Sequence, residues 1–176
     1  MKTNILVVCY NYALSRRIAS ILAEKFDMRS FDMYDMFKFH NAPNSLEDVI
    51  KINGEEFANK KMRGILKDEL DFSGVVFVVD TKVLIKNNDL FESLKENNVV
   101  LFLKNDFKTE FAQRENLSFM SDCEKNYFAL QLDELCESEQ VIEQVFADIV
   151  VDIRDLGYNE IIEKILKGID NFVKVC

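Results

Sequence analysis

The stretch Ile5–Phe26, ILVVCYNYALSRRIASILAEKF, joins two different hydrophobic patterns. It opens with a continuous apolar run rich in β-branched side chains, which is typical of a strand buried on both faces of a parallel sheet. From Leu14 onward apolar residues recur every three or four positions, which predicts an amphipathic helix. The turn between them, residues 9–17, lies where a helix N-terminus offers unpaired N–H groups to an anion. This stretch therefore predicts the opening strand, turn and helix of an α/β fold.

Similar apolar runs recur along the chain at Val75–Val79, Val99–Leu103 and Ile149–Ile153, and 28–31 predicts one more short strand. Helical patterns separate these runs, and they cover residues 14–26, 45–52, 55–70, 87–96, 106–114 and 161–173. Ser45, followed three residues later by Asp48, predicts a capping box at a helix start. Strands that alternate with helices predict a three-layer α/β fold, a doubly wound parallel sheet of about five strands.

The composition is that of one globular domain spanning residues 1–176, with 48% hydrophobic and 30% charged residues. A net charge of −9 argues against binding to nucleic acid or to anionic lipid. No apolar run reaches the ~20 residues of a membrane span, and the region after Met1 does not resemble a signal peptide. Four cysteines without C-x-x-C spacing and a single histidine make a Cys/His metal site unexpected. We therefore expect a cytoplasmic protein with reduced thiols and no bound metal.

Residues 115–137 have no periodic pattern and mix polar with aromatic side chains. Such a segment predicts a loop or a mobile lid over a ligand site.

Several of these segments resemble shikimate kinases, which are small-molecule kinases of the P-loop fold. Ile5–Phe26 is similar to their first strand, phosphate loop and helix, and Ser30–Tyr34 to the acidic motif after their second strand. Gly54–Glu56 resembles their GEE segment, and Gln144–Val151 with the following helix resembles their last strand and helix. The resemblance covers nearly the whole chain by pattern and spacing. It implies a P-loop kinase-like fold and, together with the strand pattern, a sheet with the Ile5 strand in its middle. For an active member it also implies ATP and magnesium as cofactors.

The phosphate loop departs from the family pattern at every residue that handles phosphate. Cys9, Tyr12 and Leu14 fall where the family has loop glycines. Ser15 falls at the lysine that contacts the phosphates, and Arg16 at the hydroxyl that binds magnesium. Glycines let backbone N–H groups wrap a phosphate, so we expect this loop to take another shape.

The substrate side is altered as well. Tyr34 replaces the second acid of the family's Asp-x-Asp motif, while Asn59 and Glu139 fall at or near two substrate-binding arginines. Replacing an arginine by Glu139 reverses the electrostatics toward a carboxylate substrate. The side chains that could still contact a ligand are Asp32, Tyr34, Asn59, Asp80, Lys82 and Arg114.

Three functions are consistent with these residues. The first is a shikimate kinase-like protein that has lost ATP-dependent phosphoryl transfer and has no catalytic residues or cofactor. It acts as a binding or regulatory protein, with an unknown protein partner or a small anionic ligand. The second is an active small-molecule kinase whose atypical loop uses Arg16 and Arg17 to bind ATP-magnesium. The third is a phosphatase with Cys9 as nucleophile, although Cys9 and Arg16 are one residue too far apart for the low-molecular-weight tyrosine phosphatase loop. Each of these residues is also consistent with a purely structural role. Asp32 would then cap a helix, Arg16 and Arg17 would be solvated, and Cys9 would be a core residue.

Overall fold

The computed structural model of the protein describes residues 2–9, 12–69, 71–105 and 136–175. Its strands are β1 (Asn4–Val8), β2 (Arg29–Asp32), β3 (Val75–Val79), β4 (Asn98–Lys104) and β5 (Ile149–Asp152). Its α-helices are α1 (Tyr12–Phe26), α2 (Met33–Asn41), α3 (Leu46–Asn53), α4 (Glu55–Glu69), α5 (Thr81–Lys86), α6 (Phe91–Asn97) and α7 (Tyr158–Val175). A 3₁₀-helix, Asn88–Leu90, precedes α6, and a π-helix, Ile142–Phe146, follows the helical residues 136–141.

The five strands form one parallel sheet in the order β2-β3-β1-β4-β5. β1 lies in the middle, between β3 and β4, which confirms the predicted position of the Ile5 strand. The order matches a doubly wound sheet, because the chain moves from the centre to one edge and then to the other.

Helices cover both faces of the sheet, which confirms the three-layer prediction. Leu6 and Val8 of β1 pack with α2, α4, α5, α6 and the π-helix, whereas Ile5 and Val7 pack with α1 and α7. Every residue of β1 and of β3 is buried. The apolar runs of these strands are continuous because neither face of a central strand is exposed to water.

Polar side chains fix the starts of three helices. Ser45 and Asp48 form the predicted capping box of α3, and Asp32 and Asp80 cap α2 and α5. Gly54 ends α3 with a positive φ of 86° and donates its N–H to the carbonyl of Ile50. Glycine adopts this backbone conformation without the steric cost that a side chain brings.

The predicted helices differ from the structure at α2, at α5 and at residues 87–96, and the helical residues 136–141 with the π-helix were not predicted. α2 and α5 were not predicted, because each is short and its apolar residues do not define a clear stripe. The predicted helix 87–96 is instead divided into the 3₁₀-helix and α6. The predicted helix 106–114 and all but the last two residues of the predicted lid, 115–137, lie outside the described residues. Within the described part of the chain, no helix combines the length and apolar character needed to cross a bilayer.

Candidate functional site

The turn after β1 leads directly into α1, which begins at Tyr12 and therefore includes Leu14 and Ser15 in its first turn. Cys9 is 1% exposed and packs in the apolar cluster under α1 and α7, as expected for a core cysteine. Ser15 is fully buried. Both side chains face the interior of the protein and not the space beyond the strand.

Arg16 binds two carboxylates. Its Nη2 donates to Asp35 Oδ2 at 2.5 Å, and its Nε lies 3.5 Å from Asp32 Oδ2. The Arg16 and Asp35 side chains are about half exposed, whereas Asp32 is buried. This ion-pair network joins α1 to the start of α2 across the end of β2.

Arg17, the second arginine of the predicted phosphate site, lies on the other side of α1. Its guanidinium sits over the ring of Tyr158, the first residue of α7, at 4.3 Å from the ring centroid. Arg16 and Arg17 therefore diverge, and each has a partner within the protein.

Asp32 is the N-cap of α2. Its Oδ1 accepts hydrogen bonds from the backbone N–H of Tyr34 at 2.8 Å and of Asp35 at 3.1 Å. Burial raises the pKa of Asp32 to about 6, although these two hydrogen bonds favour the charged form. The carboxylate is therefore ionised at neutral pH and available to pair with Arg16.

A separate cleft of about 790 Å³ lies between α2, α3, α4, α5 and the helical residues 136–141. Tyr34 donates its hydroxyl hydrogen to Asp80 Oδ2 at 3.0 Å, and Asp80 Oδ1 caps α5 by accepting from the N–H groups of Lys82 and Val83. Burial, with Asp80 nearby, raises the pKa of Tyr34 well above its ordinary value. Tyr34 is therefore a neutral donor at physiological pH.

The cleft brings together four of the six candidate ligand contacts: Tyr34, Asn59, Asp80 and Lys82. Asn59 Oδ1 accepts from Asn87 Nδ2 at 3.2 Å, and Lys82 is exposed at the rim. Asp32 does not line this cleft, and Arg114 lies outside the described residues. Glu139 is buried and does not line the cleft either.

Sequence reasoning missed the walls of the cleft. Its apolar side chains are Leu46, Ile50, Ala58, Met62, Val83, Ile85 and Val141, and its remaining polar ones are Glu55, Lys86, Asn88, Glu137 and Ser138. The only available signal was the Gly54–Glu56 segment, which begins one of the helices that form the cleft. The other residues converge from distant parts of the chain.

Among the described residues no group of three or more His, Cys, Asp or Glu side chains is arranged to hold a metal ion.

This architecture is similar to that of several solved kinase structures. No family model matches the sequence, and no curated protein matches it either. Among solved structures, the shikimate kinase from Aquifex aeolicus vf5 has a TM-score of 0.73 at 19% identity, over 96% of each chain. The shikimate kinase from Acinetobacter baumannii, in complex with shikimate, has a TM-score of 0.76 at 16% identity, over 97% of this chain and 94% of that one. The chain has a shikimate kinase-like fold. A gluconokinase from Sinorhizobium meliloti 1021 is more distant, with a TM-score of 0.58 at 14% identity over 98% of this chain and 94% of that one.

In a shikimate kinase-like fold, as in other open α/β sheets, ligands bind beyond the carboxyl ends of the strands. Here Cys9 follows β1, Asp32 ends β2 and Asp80 follows β3. The Arg16 ion-pair network and the cleft both lie at this edge, which is where open α/β sheets bind ligands.

Proposed function

We propose that this protein is a shikimate kinase-like binding protein that does not transfer phosphate from ATP and that holds a small ligand in the cleft. The observation that carries the proposal is the pairing of Arg16 with Asp32 and Asp35. By the family resemblance, Arg16 stands at the hydroxyl that binds magnesium, and Asp32 at the first acid. A guanidinium has no lone pair to give a metal, and it already compensates the charge of that acid. The residues present do not fit a magnesium ion.

The start of α1 supports the same proposal. A P-loop uses glycines to bring backbone N–H groups around the phosphates, and a lysine to reach the transferred group. Leu14 and Ser15, at a glycine and at the lysine of the family pattern, are helical, and Ser15 is buried. Neither residue offers the flexible backbone or the cation that phosphate binding needs.

The cleft supports binding of a small hydroxylated molecule that carries one acidic group. Tyr34, Asp80 and Asn59 provide donors and acceptors for hydroxyl groups. Lys82 provides a cation, since it forms no ion pair with the described residues. Asn59 and the buried Glu139 stand where the family pattern has arginines, so a carboxylate lacks a bidentate clamp. We therefore expect shikimate itself to bind weakly.

The test is a calorimetric titration with ATP-magnesium followed by a coupled assay with shikimate. We expect no nucleotide binding in the micromolar range and turnover far below one per second, the low end of ordinary enzyme rates. Loss of one preorganised donor commonly raises a barrier by ~2.7–4 kcal/mol, and several are absent from their family positions. Micromolar binding together with turnover on the order of one per second would contradict the proposal.

If nucleotide does bind, a double variant, Arg16→Ala with Arg17→Ala, distinguishes the active-kinase alternative. Arg63→Ala is the matched control, because Arg63 also forms an ion pair, with Asp89, but lies away from the turn. Loss of binding in the double variant and not in the control would show that the two arginines have replaced the lysine. The burial of Cys9 gives no support to the phosphatase alternative.

A further inference from the structure

A second cavity, of about 630 Å³, lies beside the edge strand β2, between α1 and α2. We name it the edge cavity. Arg16, Asp32 and Asp35 line it, and its apolar walls are Phe31, Met36, Phe39, Phe72 and Val78. Among the described residues none lines both the edge cavity and the cleft, because α2 presents Tyr34 to the cleft and Asp35 and Met36 to the edge cavity. Its volume is within the range of ordinary small-molecule sites.

The polar part of the edge cavity has an excess of negative charge. Two carboxylates, Asp32 and Asp35, face one guanidinium, that of Arg16. The other described polar residues that line the edge cavity are Ser20, Ser30 and His40. Asp32 Oδ2 is buried and accepts no hydrogen bond from the described residues, and its contact with Arg16 Nε is 3.5 Å long. Asp35, whose side chain is 59% exposed, is the carboxylate that a ligand can reach, so the site favours a ligand with a cationic N–H group.

The apolar part suits a flat ring or a hydrocarbon chain. Phe31 and Phe72 stack with ring centroids 5.6 Å apart, and Met36 is partly buried beside them. Phe39 is 83% exposed, the largest exposure among the large hydrophobic residues described. A phenylalanine that borders a cavity and lies open to water would gain by covering an apolar ligand.

We propose that the edge cavity binds a small organic cation, in which an ammonium or amidinium group is attached to a flat apolar body. The cationic group pairs with Asp35, and the apolar body lies against Phe31, Met36 and Phe39. The two proposed ligand sites can be tested separately, since the described linings of the edge cavity and of the cleft have no residue in common.

Methionine methyl groups provide the test, because Met36 lines the edge cavity and Met62 lines the cleft. In protein labelled with ¹³C at the methionine methyls, 2-phenylethylammonium is titrated to millimolar concentrations, the range expected for a ligand with few non-hydrogen atoms. We expect a saturable shift of the Met36 signal and no change at Met62. Phenylacetate, of similar shape and opposite charge, should leave Met36 unchanged.

Two variants and one control locate the binding. Asp35→Asn should weaken binding at least about fivefold, because a charge-assisted hydrogen bond is lost, and Phe39→Ser should also weaken it. Asp89→Asn is the matched control. The side chains of Asp89 and Asp35 are 61% and 59% exposed, and each forms an ion pair with an arginine. An equal response to phenylacetate, a shift confined to Met62, or unchanged affinity in both Asp35→Asn and Phe39→Ser would overturn the proposal.

Discussion

At the scale of single residues, Asp32 uses its two carboxylate oxygens differently. Oδ1 caps α2 through two backbone N–H groups, while Oδ2 faces the guanidinium of Arg16. The first role needs only an acceptor, whereas the second needs a charge. The two roles can therefore be separated by substitution.

Asp32→Ala should lower the free energy of unfolding by about 1–2 kcal/mol, because α2 loses its N-cap. Asp32→Asn should retain most of that stability, since an asparagine oxygen also caps helices well. Urea unfolding at neutral pH measures both differences. Equal loss in the two variants would mean that the charge of Asp32, and not its capping hydrogen bonds, stabilises this part of the fold.

At the scale of elements, α7 approaches β5 closely at Gly168. A Cβ atom at this position would lie 2.8 Å from Ile149 Cγ2, which is too close unless the Ile149 side chain or the backbone moves. A Cβ atom at Gly64, within α4, would meet no atom of a neighbouring element within 4 Å. The chain thus offers two helical glycines that differ in packing.

Gly168→Ala should be destabilising by about 1–3 kcal/mol, because overpacking at β5 outweighs the better helix propensity of alanine. Gly64→Ala is the matched control and should stabilise the protein by up to about 1 kcal/mol. Thermal unfolding of both variants measures the effect. Stabilisation by both substitutions would show that α7 does not pack tightly at residue 168.

At the scale of the whole molecule, a buried polar cluster ties the sheet together at the amino ends of its central strands. Asn98 Nδ2 donates to Glu69 Oε2 at 3.2 Å, and Asn4 links β1 to Phe72 and Val75 at the start of β3. All three polar side chains are at most 1% exposed. Burial raises the pKa of Glu69 from its ordinary 4.5 to about 7.

This pKa predicts how global stability changes with pH. The folded protein binds a proton at Glu69 more tightly than the unfolded chain does, so the free energy of unfolding should fall as pH rises from about 4.5 to about 7. Glu69→Gln mimics the protonated form and should be more stable than the parent protein at about pH 8, by on the order of 1–3 kcal/mol. Near pH 5 the two proteins should be similar.

Urea unfolding at the two pH values measures this difference. Asp32, whose pKa burial raises to about 6, contributes with the same sign in both proteins, so the comparison isolates Glu69. Glu163→Gln, at an exposed position of α7, is the control and should leave the pH profile unchanged. A Glu69→Gln variant that loses the same stability at both pH values would contradict a raised pKa of Glu69 in the folded protein.

The strands and their parallel arrangement were readable from the hydrophobic pattern alone, whereas the central place of β1 was expected only with the help of the family resemblance. Hydrophobic periodicity is a local property, and the runs at Ile5–Cys9 and Val75–Val79 are readable because both faces of those strands are buried. The correspondence of Cys9, Tyr12, Leu14 and Ser15 to the family's loop glycines and lysine stays a prediction. The sequence left α2 and α5 unpredicted, since their main signal is a single capping aspartate.

Contacts between side chains that are distant in the sequence depend on the tertiary structure alone. Arg16 and Asp35 are 19 residues apart, and Tyr34 and Asp80 are 46 apart, yet each pair is hydrogen-bonded. These contacts arise because the sheet order places β2, β3 and β1 side by side, so that the residues following them converge at one edge. Periodicity along the chain carries no information about that order in three dimensions. The separation of Asp32 from the cleft, and its pairing with Arg16, could therefore be found only in the folded protein.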